Sequence, residues 1–127
     1  MTHGAESLPV PKTTILVVDD ERNIRRTLRM VLEGAGFEVA EAESAEAGLL
    51  ALDEHEIDLI ILDIRLPKMS GIDLLQRIRD IDPGAPIIMI SGFASTDSVV
   101  EAMRCGALNF YEKPIPFVKL LSEIRKI

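Results

Sequence analysis

The stretch "ILVVDDE", residues 15–21, decides how this chain is read. Four apolar residues run directly into three acids. A short apolar run that does not alternate with polar residues suits a strand buried on both faces, as in a parallel sheet. Adjacent carboxylates repel one another, and burial raises their cost. The chain therefore delivers clustered negative charge to the end of a core strand.

The same apolar pattern recurs further along, at residues 59–62 and 87–90. Weaker strand patterns lie at 38–42 and 109–112. Helical periodicity fills the gaps. Ile24, Leu28, Val31 and Leu32 form one stripe, ending before Gly34. Ala45, Leu49 and Leu52 form a second, with Ser44 placed to cap it. Ile72, Leu75 and Ile78 form a third. Val99, Val100 and Met103 form a fourth, ending near Gly106. Phe117, Leu120, Leu121 and Ile124 form a fifth. Strand and helix alternate throughout, which predicts an α/β domain with a parallel sheet covered on both faces.

Composition narrows the function. The 127 residues suit one domain with one sizeable core. Fourteen Lys and Arg face twenty-one acids, giving a net charge of -7. That argues against direct nucleic-acid binding, which needs a basic face, and favours a cation or a basic partner. No apolar run approaches the roughly eighteen residues of a membrane span. Residues 1–12 read as a loose leader without signal-peptide features, and 13–127 as the folded domain. The single cysteine, Cys105, excludes an internal disulfide and reads as a small packed residue. The expected location is the cytoplasm.

In open α/β sheets, ligands bind beyond the carboxyl ends of the strands. Those ends hold Asp19, Asp20 and Glu21, then Asp63, then Ser91, then Lys113. Clustered carboxylates call for a hard divalent cation, and Mg²⁺ takes oxygen ligands while keeping several waters. Lysine suits phosphate as a point charge, and serine adds a hydrogen bond. Glu21 reads equally well as a site residue or as a solvent-facing acid near a helix N-terminus.

"ILVVDDE", "LDIRLPKMSGIDLL", "IIMISG" and "GALNFYEKPI" together resemble the receiver domain of bacterial two-component response regulators, in the family's order and spacing. The resemblance covers residues 13–127. It implies a flavodoxin-like doubly wound (βα)5 sandwich, with strand order 2-1-3-4-5 and helices on both faces. Asp63 would be the phosphoacceptor, taking a phosphoryl group from the phosphohistidine of a sensor histidine kinase. Mg²⁺, with Mn²⁺ as a substitute, would be held by Asp20 and Asp63, by Asp19 largely through water, and by the backbone carbonyl of Arg65. Lys113 would pair with phosphoryl oxygens, and the Lys113–Pro114 bond would be cis. Ser91 would move toward the phosphoryl group, and Phe110 would turn inward with it. This would change the surface of the fourth helix, fifth strand and fifth helix, where a homodimer could form. The domain would catalyse its own phosphorylation and slow dephosphorylation without being a turnover enzyme.

Other features qualify the resemblance. Ser91 stands where threonine is commoner. Phe110 lacks a hydroxyl, so switching there relies on packing, and Tyr111 should point to the opposite side of the strand. Arg65 and Phe93, each two residues past a site residue, are large enough to crowd an attacking water. Arg22, Arg25, Arg26 and Arg29 read either as the wet face of the first helix or as a contact for an acidic patch on the kinase.

Two other function classes compete with a signalling switch. A haloacid-dehalogenase-type phosphatase needs a second Asp two residues past the nucleophile, and Arg65 occupies that place. A receiver-like interaction module typically lacks an acid, the acceptor or the lysine, and all are present. "SGFASTDSVVEAMRCGALNFYEKPI" resembles receivers of NtrC/NtrX-type enhancer-binding activators, whose ATPase and DNA-binding domains are missing from this sequence. The expectation is an excised receiver, with a stand-alone receiver as the alternative.

Overall fold

The computed structural model describes residues 12–127, so the leader expected at 1–12 lies almost wholly outside the described residues. Five strands alternate with five helices: β1 (Thr14–Val18), α1 (Arg22–Gly34), β2 (Glu38–Ala42), α2 (Ala45–Glu54), β3 (Leu59–Asp63), α3 (Gly71–Ile81), β4 (Ile87–Ser91), α4 (Thr96–Arg104), β5 (Asn109–Glu112) and α5 (Phe117–Ile124). All strand pairs are parallel, in the order β2-β1-β3-β4-β5. The predicted strands and helices are all present, and the predicted order holds.

The pleat explains the unbroken apolar runs. Leu16, Val18, Ile60, Leu62, Ile87 and Met89 face one side, against Ala45 of α2, Leu74, Leu75 and Ile78 of α3, and Ala102 of α4. Ile15, Val17, Leu59, Ile61, Ile88 and Ile90 face the other, against Leu28 and Leu32 of α1 and Leu120 and Ile124 of α5. Alternate residues thus enter two separate cores, and each fully buried aliphatic side chain contributes about 1.5–3 kcal/mol.

Serine caps start three helices. The hydroxyls of Ser44, Ser70 and Ser95 accept hydrogen bonds from the backbone N–H of Ala47, Asp73 and Ser98, each at 3.1 Å. Gly106, at φ +87°, closes α4 in the left-handed conformation that suits glycine.

One helical face differs from the sequence reading. Val100 and Met103 of α4 are exposed, and the buried residue is Ala102. The helix turns its small side chain onto the sheet, which allows close approach, and leaves its larger apolar side chains outside. No helix among the described residues is long and apolar enough to cross a membrane.

Candidate functional site

The strands carry the site residues to one edge. Asp19 follows β1 directly and is fully buried. Its N–H donates to Ala42 O at 3.0 Å, which ties it to the end of β2. Its Oδ1 accepts the N–H of Glu21 at 2.8 Å. Asp63 ends β3 and is almost fully buried, and its Oδ1 accepts the N–H of Arg65 at 3.0 Å. Ser91 ends β4, fully buried, and its hydroxyl accepts the N–H of Phe93 at 3.2 Å. Asp20 and Glu21 stay exposed at the rim.

Lys113 joins these groups. It follows β5, and its N–H donates to Ser91 O at 2.9 Å. The Lys113–Pro114 peptide bond is cis. The ammonium Nζ lies 2.8 Å from Asp19 Oδ2, 2.9 Å from Glu21 Oε1 and 3.1 Å from Asp63 Oδ2. Burial alone would lower the Lys113 pKa. Its carboxylate neighbours Asp19, Glu21 and Asp63 more than reverse that and raise it, so the lysine stays charged. Asp19 moves up to about 6. Burial is the main cause and the nearby Asp63 charge adds to it, against the opposing pull of Lys113 and the Glu21 N–H.

The donor set fits a hard cation. Asp19, Asp20, Glu21 and Asp63 each offer a carboxylate oxygen, all within 4.8 Å of one another. Anionic oxygens at this spacing suit Mg²⁺ or Mn²⁺ rather than a soft metal. Asp19 Oδ2 adds an independent sign. Although the Lys113 ammonium stands at ion-pair distance, this buried oxygen has no aligned hydrogen-bond donor among the described residues. Such an oxygen keeps unspent capacity for a ligand.

The sequence-predicted groups Asp19, Asp63 and Lys113 meet in direct contact, with Asp20 in the same acid cluster. Phe110 sits half-buried against the α3–α4 side of the sheet, while Tyr111 packs on the α1–α5 side, as strand alternation requires. Arg65 and Phe93 approach each other, with the guanidinium carbon 5.6 Å from the ring centroid.

Four residues gain roles that sequence patterns did not assign. Glu21 is an ion-pair partner of Lys113 rather than a purely solvated acid. Arg25 turns inward: its Nη1 donates to Asp19 O at 2.8 Å and its Nε to Glu41 Oε1 at 3.1 Å. Arg29 donates to the other Glu41 oxygen at 2.6 Å. Burial would raise the Glu41 pKa, but Arg29 and Arg25 hold it below the usual range. Arg22 and Arg26 remain on the exposed face. Gly71 is the fourth. A Cβ there would stand 1.9 Å from Asp63 O and 2.8 Å from Ile64 Cα, so α3 starts where only glycine lets the backbones meet.

Comparison with known proteins agrees with this geometry. The model of the response regulator receiver domain matches residues 15–125. The transcriptional regulatory protein ZraR of Salmonella typhimurium is 36% identical over 115 residues, covering 91% of this chain and 26% of that protein. The transcriptional regulatory protein FixJ of Rhizobium meliloti is 35% identical, covering 89% of this chain and 55% of that one. The chain thus spans about a quarter of the ZraR length and about half that of FixJ. Among solved structures, the receiver domain of NtrX from Brucella abortus superposes with a TM-score of 0.83 at 36% identity, covering 88% of this chain and 95% of that chain. A response regulator receiver protein from Pseudomonas putida superposes at 0.90 with 32% identity, covering 94% of this chain and 100% of that chain. The four strand-end motifs, the sheet order and these likenesses converge, and the chain belongs to the response regulator receiver domain family.

Proposed function

We propose that this domain is a phosphorelay switch in which Asp63 accepts a phosphoryl group from the phosphohistidine of a sensor histidine kinase. The observation that carries this reading is the Asp63 carboxylate. It is nearly buried at the end of β3, with one oxygen held by the Arg65 N–H and the other 3.1 Å from the Lys113 ammonium. In the transfer, an Asp63 oxygen forms the new O–P bond and the P–N bond breaks. Its electron pair returns to the imidazole, which takes up a proton. The developing charge lies on the phosphoryl oxygens, so positioning and neutralisation do the catalytic work.

Each neighbour has a part in this. Lys113 supplies a fixed positive charge at the acceptor. Arg65 N–H orients the Asp63 carboxylate so that its other oxygen faces the donor. Asp20, Asp63 and Asp19 would hold Mg²⁺, or Mn²⁺ in its place, with the Arg65 carbonyl completing the protein ligands. Bound there, the cation offsets the carboxylate repulsion and neutralises phosphoryl oxygens. The Ser91 hydroxyl, which among the described residues accepts a bond from the Phe93 N–H alone, would turn toward a phosphoryl oxygen. Phe110 would follow by repacking and so change the α4–β5–α5 surface.

That surface would govern an output in the full protein, by analogy an ATPase and a DNA-binding domain. The names of the ZraR and FixJ relatives support a transcriptional role. Dimerisation through α4, β5 and α5, and a cytoplasmic location, complete the proposal.

Incubation with a small acyl phosphodonor and Mg²⁺ tests the reaction class. Stoichiometric uptake that persists for minutes or longer supports the switch. Steady release of inorganic phosphate points to a hydrolase, and no uptake to an interaction module.

A further inference from the structure

The Arg25 guanidinium links the end of β1 to β2 through two hydrogen bonds. Its Nη1 donates to the backbone carbonyl of Asp19, and its Nε to Glu41, the next-to-last residue of β2. Its side chain is only 12% exposed. Glu41 is itself fixed by Arg29. The carbonyl of Asp19 and the N–H of Asp20 belong to one rigid peptide plane. Holding that carbonyl therefore fixes the plane from which the Asp20 side chain departs.

The rest of Asp19 is held by other groups: N–H by Ala42, Oδ1 by the Glu21 N–H, Oδ2 at ion-pair distance from Lys113. Among the described residues, Arg25 supplies the side-chain bond to the Asp19 carbonyl. Its place in the helix points the same way. The first turn of α1 holds no acid, and the positive end of the helix dipole disfavours a cation there. A guanidinium that runs against its helix dipole is compensated by what it binds.

We infer that Arg25 is a positioning residue for the cation site: it clamps the Asp19–Asp20 peptide and so aims the Asp20 carboxylate. The inference rests on the metal site proposed above. Groups that orient metal ligands typically change affinity by about 10–100-fold when removed. Arg25→Lys keeps the charge but replaces the planar fork with a single point donor.

The test is Mg²⁺ titration by calorimetry, with thermal unfolding of the metal-free proteins alongside. Arg25→Lys is expected to bind Mg²⁺ about tenfold more weakly than the wild type. A guanidinium acting only as a nearby charge would leave Arg25→Lys unchanged and make Arg25→Ala bind more tightly. A purely structural one would lower the metal-free melting midpoint and leave the affinity alone. Either result overturns the inference. Should Arg25→Lys fail to fold, Glu41→Gln takes its place. That change releases the outer anchor of the guanidinium, and at high salt the lost charge is screened. Weaker Mg²⁺ binding is expected there too, and unchanged binding overturns the inference. Asp20→Ala separates the two levels. If the wild type binds no Mg²⁺, or Asp20→Ala binds as well as the wild type, the site itself fails. If Asp20→Ala loses binding and Arg25→Lys does not, only the positioning role fails.

Discussion

Lys113 Nζ stands 2.8 Å from Asp19 Oδ2, although their strands, β5 and β1, are separated in the sheet by β3 and β4. The lysine spans the mouth of the sheet and neutralises acids that would otherwise face one another. Its side chain is 10% exposed and that of Asp19 is fully buried, so solvent screens this contact weakly. The lysine thus holds the site together before any cation arrives.

Lys113→Ala should therefore destabilise the metal-free domain at neutral pH by about 3 kcal/mol, the scale of breaking a buried ion pair from one side. Mg²⁺ should restore part of that loss, because a ligand of the folded state stabilises it. Urea unfolding with and without Mg²⁺ checks both points. Equal stability of variant and wild type without metal would contradict the ion-pair account.

Gly71→Ala should be among the most damaging single-methyl changes in the chain. The added carbon would fall 1.9 Å from Asp63 O and 2.8 Å from Asp63 C, both backbone atoms that cannot swing aside. A loss of about 3 kcal/mol is expected by urea unfolding, the upper range for overpacking. A loss below about 0.5 kcal/mol would be that of an ordinary surface position and would contradict the close approach.

Tyr111 offers a pH readout. It is the single tyrosine, and the chain has no tryptophan, so phenolate absorbance reports it alone. Burial, and then Glu123, which accepts its hydroxyl hydrogen bond, push its pKa up to about 12. The folded state keeps the proton longer than the unfolded chain, which releases it near 10. The stabilisation is thus complete below pH 10 and is lost as pH rises through about 12. The native absorbance midpoint should lie well above 10 and fall in Glu123→Gln. An ordinary midpoint in the wild type would contradict the pairing.

Arg65 and Phe93 should act as a pair on the phosphorylated state. Their side chains meet in a cation–π contact at 5.6 Å, and each stands two residues past a site residue, where it would crowd an attacking water. At an exposed site such a contact is worth about 0.5–1 kcal/mol, or roughly two- to fivefold in a rate. Arg65→Ala and Phe93→Ala should each shorten the phosphoryl lifetime by that factor, and the double variant should lose little more. Unchanged lifetimes in both singles would remove the gating role.

Some of this architecture was legible in the sequence because its physics is local. Runs such as residues 59–62, bounded by helical patterns, suit a strand covered on both faces, and the residue after such a strand falls at the ligand edge. Asp19, Asp63 and Ser91 follow from that, Lys113 follows from the weaker strand pattern at 109–112, and strand order and residue roles came from family resemblance. The rest depended on three-dimensional placement. Arg25 looks like any arginine on a wet helix face until Asp19 O and Glu41 come within its reach. Gly71 reads as a helix-start residue until Asp63 O is placed against it. On α4 the larger apolar residues Val100 and Met103 suggested the inner face, yet the small Ala102 occupies it. Side-chain size alone does not reveal how closely a helix approaches its sheet.

The most direct test is the intact mass of wild-type and Asp63→Asn protein after exposure to a small acyl phosphodonor and Mg²⁺. The wild type should gain one phosphoryl group, and should gain none when the cation is chelated or when Asp63 is replaced. Equal phosphoryl uptake by Asp63→Asn, or none by the wild type, would contradict Asp63 as the acceptor.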